Sequence, residues 1–103
     1  MRRGEVWTVL AGDQRRLRIA VVSGDVHNER PNTDVLAVPL SRRGGGPPGP
    51  FAIPLTDTDP VGGMALVAEL GRLDPALGVE RVGLLTGKTM SAIATELADL
   101  FDL

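Results

Sequence analysis

Apolar positions along this chain come in short blocks punctuated by turn-forming residues, a rhythm that predicts strands more than long helices. "GEVWTVL" (Gly4 to Leu10) is rich in Val and Trp and runs into "AGDQ", which carries turn chemistry. "RLRIAVVSG" (Arg16 to Gly24) has a continuous apolar centre at Ile19 to Val22, as expected for a strand buried on both faces. "DVHNERPN" is polar, and Pro31 removes a backbone donor and restrains its neighbour, so a loop or a single helical turn is expected. "TDVLAVPLS" (Thr33 to Ser41) reads as a third strand, in which Pro39 is tolerable only at an edge, an end or a bulge.

The run "RRGGGPPGP" predicts a flexible flap, and strand character resumes with "FAIPL" (Phe51 to Leu55). "TDTDPVGG" is a turn-rich link. Periodicity alone allows strand or helix for "MALVAEL" (Met64 to Leu70), whose shortness and flanking glycines favour a strand. "DPALG" predicts one helical turn and "VERVGLL" (Val79 to Leu85) the last strand. Thr86 then stands where it can cap a helix, and Met90, Ile93, Ala94, Leu97, Leu100 and Phe101 recur along one face. The predicted class is mostly β (α+β): a small antiparallel β-barrel with a C-terminal amphipathic helix.

The helix reading disposes of a tempting motif. "GLLTGKT" (Gly83 to Thr89) has one residue fewer than a phosphate-binding loop, and two of its three enclosed residues are leucines, which suit a buried strand end better than an anion cradle. Only residues 90–103 follow, too few for the further strand that would carry a magnesium-binding Asp.

Composition narrows the chemistry. A chain of 103 residues with 43% hydrophobic content makes one domain, residues 1–103, with a limited core that pairing of two copies would help. No apolar run approaches the roughly 18 residues of a membrane span, and no signal-peptide core follows the N-terminal arginines, so a cytoplasmic protein is expected. With no cysteine and one histidine, neither disulfides nor a zinc centre are expected, and no metal or other cofactor. Net charge is −2, yet residues 1–43 hold eight Arg against five acids and residues 44–103 hold three basic groups against eight acids. An anionic ligand should therefore meet the N-terminal half. Its arginines cluster as Arg2 and Arg3, then Arg15, Arg16 and Arg18, then Arg42 and Arg43, although solvated loop arginines are the ordinary explanation for each group alone. His27 reads as a solvated loop histidine and Trp7 as a core or interface anchor; Ser91, Asp99 and His27 lack the nucleophile elbow of a hydrolase.

The order "RRGEVW", an Arg leading into "AVVS", Asn28, "VPLS", "PFAIPL" and "GGMALVAEL" resembles the MazF/PemK family of toxin endoribonucleases almost end to end. The resemblance implies an SH3-like barrel, a homodimer, metal-independent cleavage of single-stranded RNA such as mRNA, and inhibition by a cognate antitoxin protein. In that family the arginine opening the second strand and a Thr or Ser closing the third form the catalytic pair, and Arg18 and Ser41 occupy those positions here. Gln14, Arg15, Arg16, Asn28, Arg42 and Arg43 are the implied RNA contacts. A guanidinium suits charge stabilisation on phosphate oxygens, and a hydroxyl can hold a phosphate oxygen or the 2′-OH in line. The chain departs from the family at Ile19, where Pro is usual, in its short first loop, and at Ala68 and Glu69, where an acid–Gln pair is usual. Glu69, if it faced RNA, would repel it, which leaves a degenerate barrel that binds a protein partner without cutting as the alternative. Gyrase poisons sharing the barrel end in Trp-Gly-Ile, which "LFDL" lacks.

Overall fold

The computed structural model describes residues 1–42 and 51–102, so the expected flap after Arg42, with Arg43, lies outside the described residues. The strands are β1 (Glu5–Leu10), β2 (Arg16–Val21), β3 (Val35–Ser41), β4 (Ala52–Pro54), β5 (Met64–Leu66), β6 (Gly71–Leu73) and β7 (Gly78–Leu84). A single helical turn, α1 (Asp25–Asn28), follows β2, and α2 (Gly87–Leu100) ends the fold. Every pairing is antiparallel, in the order β4-β5-β3-β2-β1-β7, with β6 beside the first half of β3. A mostly antiparallel sheet with a C-terminal helix is the expected architecture. The barrel is not closed by hydrogen bonds: among the described residues β7 pairs only with β1 and β4 only with β5, which leaves two edges.

The two-residue alternation of strands divides the apolar side chains between two faces. Val6, Ala20, Val38 and Leu40 point to one face and join Ala65, Val67, Leu85 and Ile93 in the larger core. Val9, Ile19, Val21, Val35 and Ala37 point to the other and form a smaller cluster edged by Met1, Trp7 and Leu73. The apolar centre of β2 is thus buried on both faces because it feeds both clusters. Pro39 sits inside β3 at a point with no strand partner on one side, as a local edge position would be. β3 pairs with β6 through Val35–Ala37 and with β5 through Leu40 and Ser41, and Pro39 falls in the gap where the partner changes, so on that side no donor is missed.

"MALVAEL" is not one strand. After Leu66 the chain makes a 3-10 turn (Val67–Glu69) and then the short β6, which periodicity over three residues could not announce. The turn is anchored by Val67, fully buried, whose N–H donates to the Phe51 carbonyl at 3.1 Å. Helix α2 seats Met90, Ile93, Leu97 and Leu100 against the larger core. Ala94 and Phe101, expected on the same face, are exposed, because the contact is a stripe one side chain wide.

The start of α2 answers the motif question. Thr86 Oγ1 accepts from Thr89 N–H at 3.2 Å, as an N-cap should. Asp59, buried, supplies the anion that a helix N-terminus favours: it accepts from Thr86 N–H at 2.8 Å, the Thr89 hydroxyl at 2.6 Å, and both the N–H and hydroxyl of Thr56 at 2.7 and 2.9 Å. The place of a phosphate is taken by the chain's own carboxylate. Burial pushes the Asp59 carboxyl up, but these hydrogen bonds outweigh it and hold its pKa at about 2.

Candidate nucleic-acid interface

The row Val6–Ala20–Val38 contributes one core residue from each of β1, β2 and β3. Two positions along, the same face turns polar. Thr8 pairs with Arg18 on β2 and with Glu80 on β7, which sets Glu80, Thr8 and Arg18 in one cross-strand row. All three line a hollow of about 410 Å³, together with Arg16, Leu17, Leu40 and Arg42. Three guanidinium groups from two arginine clusters, 24 positions apart in the chain, therefore converge on one surface. Among the described residues none of these three arginines forms an ion pair, and neither does Glu80. With Glu80 counted, the lining carries a formal charge of +2.

Other predicted site residues fall elsewhere. Ser41 closes β3 opposite Met64 and is half-buried. Alternation from the Ile19–Pro39 pair aligns Arg18 with Leu40 and sets Ser41 on the face of Leu17, and Ser41 is not among the residues lining the hollow. Its backbone is crowded by Gly63, which has φ +108°; a Cβ there would lie 1.8 Å from the Ser41 carbonyl oxygen. Gln14 is exposed at the β1–β2 turn with φ +65°, and Arg15 beside it pairs with Asp13. Asn28 is committed to structure: Nδ2 donates to the Ser23 carbonyl at 2.9 Å and Oδ1 accepts from the Ser23 hydroxyl. It borders a separate hollow near Arg30 and Asn32. Arg43 lies outside the described residues.

The opposite face of the same strands carries charge in a different state. Glu5, 8% exposed, accepts from Arg2 N–H at 2.6 Å and from the Trp7 indole at 3.2 Å, and its other oxygen accepts from Arg81 Nε. Burial pushes the Glu5 carboxyl up, and the hydrogen bonds from Arg81, Arg2 and Trp7 overcome it and hold it below the ordinary value. Trp7 is thereby an anchor of the smaller cluster. His27 contacts the Asp34 carbonyl through Nε2 at 2.9 Å, on the far loop. Glu69 is exposed on the 3-10 turn and does not line the arginine hollow. Among the described residues no group of three His, Cys, Asp or Glu side chains could hold a metal ion, and no helix is long and apolar enough to cross a membrane. Sequence reasoning missed Thr8 and Glu80; only the β1–β2 and β1–β7 registers bring them to Arg18.

A sequence model described as PemK-like, MazF-like toxin of type II toxin-antitoxin system matches residues 2–101. The fold is similar to that of an endoribonuclease solved in complex with its cognate antitoxin from a mycobacterial species, at 26% identity and a TM-score of 0.87, covering 100% of this chain and 96% of that one. A mycobacterial endoribonuclease is similar at 25% identity and a TM-score of 0.84, covering 100% and 92%. A MazE-MazF structure from Deinococcus radiodurans, at 18% identity, a TM-score of 0.84 and coverage of 100% and 96%, supports the fold alone. No curated protein matches the chain in sequence.

Proposed function

Because the chain belongs to the family of PemK-like, MazF-like toxins of type II toxin-antitoxin systems, we propose that it is an endoribonuclease, acting in the cytoplasm on single-stranded RNA such as mRNA. The observation that carries this reading is the convergence of Arg16, Arg18 and Arg42 on one hollow with no ion pair to any described carboxylate. Guanidinium groups offer forked donors to phosphate oxygens, and several kept unneutralised cost the fold repulsion that an RNA backbone would relieve.

In the proposed reaction the ribose 2′-oxygen attacks the adjacent phosphorus, the P–O5′ bond breaks, and the products carry a 2′,3′-cyclic phosphate and a 5′-hydroxyl. Arg18 stabilises charge on the phosphorane, while Arg16 and Arg42 hold neighbouring phosphates. Ser41, at the end of β3, serves the strand where it leaves the hollow by hydrogen-bonding a phosphate oxygen or a 2′-OH. Gln14 and Arg15 on the exposed β1–β2 turn, and Arg43, extend the contact. None of these roles calls for a metal. Purified protein is expected to cut RNA in the presence of a chelator, and one 2′-deoxyribose at the cut position should stop the reaction by removing its nucleophile. Cleavage of the deoxy-substituted strand would overturn the mechanism.

The protein is also expected to work as a homodimer and to be silenced by a cognate antitoxin whose acidic segment lies over the same arginines. Charge reversal at Arg15 and Arg16 should then weaken RNA and antitoxin binding together, and loss of only one would separate the two surfaces. Sedimentation at micromolar concentration tests the dimer, with a clean monomer as the contrary result.

A further inference from the structure

We propose that Glu80 is the proton acceptor for the ribose 2′-hydroxyl, working across Thr8 from Arg18; this rests on the reading of the hollow as an RNA-cleaving site. The reaction needs a group that can take a proton, and the hollow's composition leaves one choice. Its arginines stay protonated, Thr8 is a weak acid, and Leu17 and Leu40 are inert. Ser41 does not line it, and His27, the chain's one histidine, is held on the far loop by the Asp34 carbonyl. Among the described residues lining the hollow, Glu80 is the one carboxylate and so the one side chain suited to take up a proton.

Placement agrees with composition. Glu80, Thr8 and Arg18 are register partners on three adjacent strands, so the backbones at the two ends of the row are roughly 10 Å apart. The hollow they line, about 410 Å³, has room for one ribose and its phosphate. Glu80 is exposed and faces three arginines, yet it closes an ion pair with none of them, whereas its neighbour Arg81 is paired with Glu5 on the other face. A carboxylate serving only to neutralise the arginines would sit against one. Glu80 takes the 2′-OH proton as the 2′-oxygen attacks phosphorus. Arg18 meets the charge that builds on the phosphoryl oxygens, and Thr8 donates a hydrogen bond to one of them. The departing O5′ takes a proton from water, and Glu80 releases its own to solvent.

The test is single-turnover cleavage of an RNA oligonucleotide by wild type, Glu80→Gln and Glu80→Asp, over the pH range in which all three remain folded by circular dichroism. Glu80→Gln is expected to lose cleavage by about a hundredfold or more and to lose the acidic limb of the pH profile. It should bind a 2′-deoxy-substituted, uncleavable RNA at least as tightly as wild type. Glu80→Asp should recover part of the rate together with the limb. Thr8→Val should cut the rate by roughly tenfold, with Thr8→Ser restoring most of it. A wild type that cleaves while Glu80→Gln keeps both its rate and its acidic limb would overturn the assignment and leave the RNA reading intact. A wild type that cuts no RNA overturns the reading and the assignment together.

Discussion

Glu80 and Arg81 are consecutive residues of β7 in opposite circumstances. Arg81 turns to the face shared with Trp7 and Glu5, where its guanidinium meets a nearly buried carboxylate that already holds two further hydrogen bonds. Glu80 turns to the face shared with Thr8 and Arg18, where three guanidinium groups and one carboxylate share a hollow and, among the described residues, form no ion pair. One face spends its charges on holding the sheet together; the other leaves them available. Strand alternation alone produces the contrast, and it gives a rule for this molecule: a charged residue with its partners in place is architecture, and a group of charged residues sharing a hollow without partners is the place to look for a ligand.

The largest effect expected from breaking this contrast is on the open face. Arg18→Ala should slow RNA cleavage by at least about a hundredfold, on the order of 3 kcal/mol of transition-state stabilisation, while leaving the melting temperature within about 2 °C of wild type. Stopped assays on equal amounts of folded protein, with a thermal melt of each, check both halves.

Next comes Asp59, the most heavily engaged carboxylate described. Its pKa falls from 3.8 to about 2 on folding, so the folded state holds the proton less tightly than the unfolded chain and protonation favours unfolding. The stabilisation, about 2 kcal/mol, is complete above pH 4 and is lost as the pH falls from there through 2. Asp59→Asn should remove most of that pH dependence in urea melts between pH 2 and pH 5 and leave cleavage per folded molecule unchanged. Arg81→Ala should cost less, about 1 kcal/mol, because the arginine side chain is 50% exposed and solvent shares the loss. It, too, should spare cleavage, and a thermal melt beside a cleavage assay separates the two. The smallest effect belongs to Arg42→Ala, which should lower the salt dependence of RNA binding by about one phosphate contact, roughly 0.7 in the logarithmic slope, as a fluorescence titration across salt concentrations would register.

How far these outcomes were readable beforehand follows the reach of each interaction along the chain. Arg16, Arg18 and Arg42 stood out because like charges clustered in sequence, and the helix from Thr86 because its cap and its apolar stripe are local. Asp59 did not, since its partners Thr86 and Thr89 lie 27 and 30 residues away and "TDTDP" alone reads as a turn. Thr8 and Glu80 gave no signal either; their meaning depends on a register 72 residues apart that includes bulges on either side of the Trp7–Thr8 pairing. β6 escaped notice because three residues cannot show a period, and the hydrogen bonds of Asn28 to Ser23 were not legible because they depend on how the chain folds back after β2.

The most direct test of the arginine hollow as the RNA site is a map of amide chemical-shift changes when an uncleavable 2′-deoxy-substituted RNA is titrated into the folded protein. Changes centred on Thr8, Arg16, Arg18, Leu40 and Glu80 are expected, with Glu5 and Arg81 on the opposite face moving little. Changes confined to the Asn28–Asp34 loop or to the Glu5–Arg81 face, with the arginine hollow silent, would contradict that site.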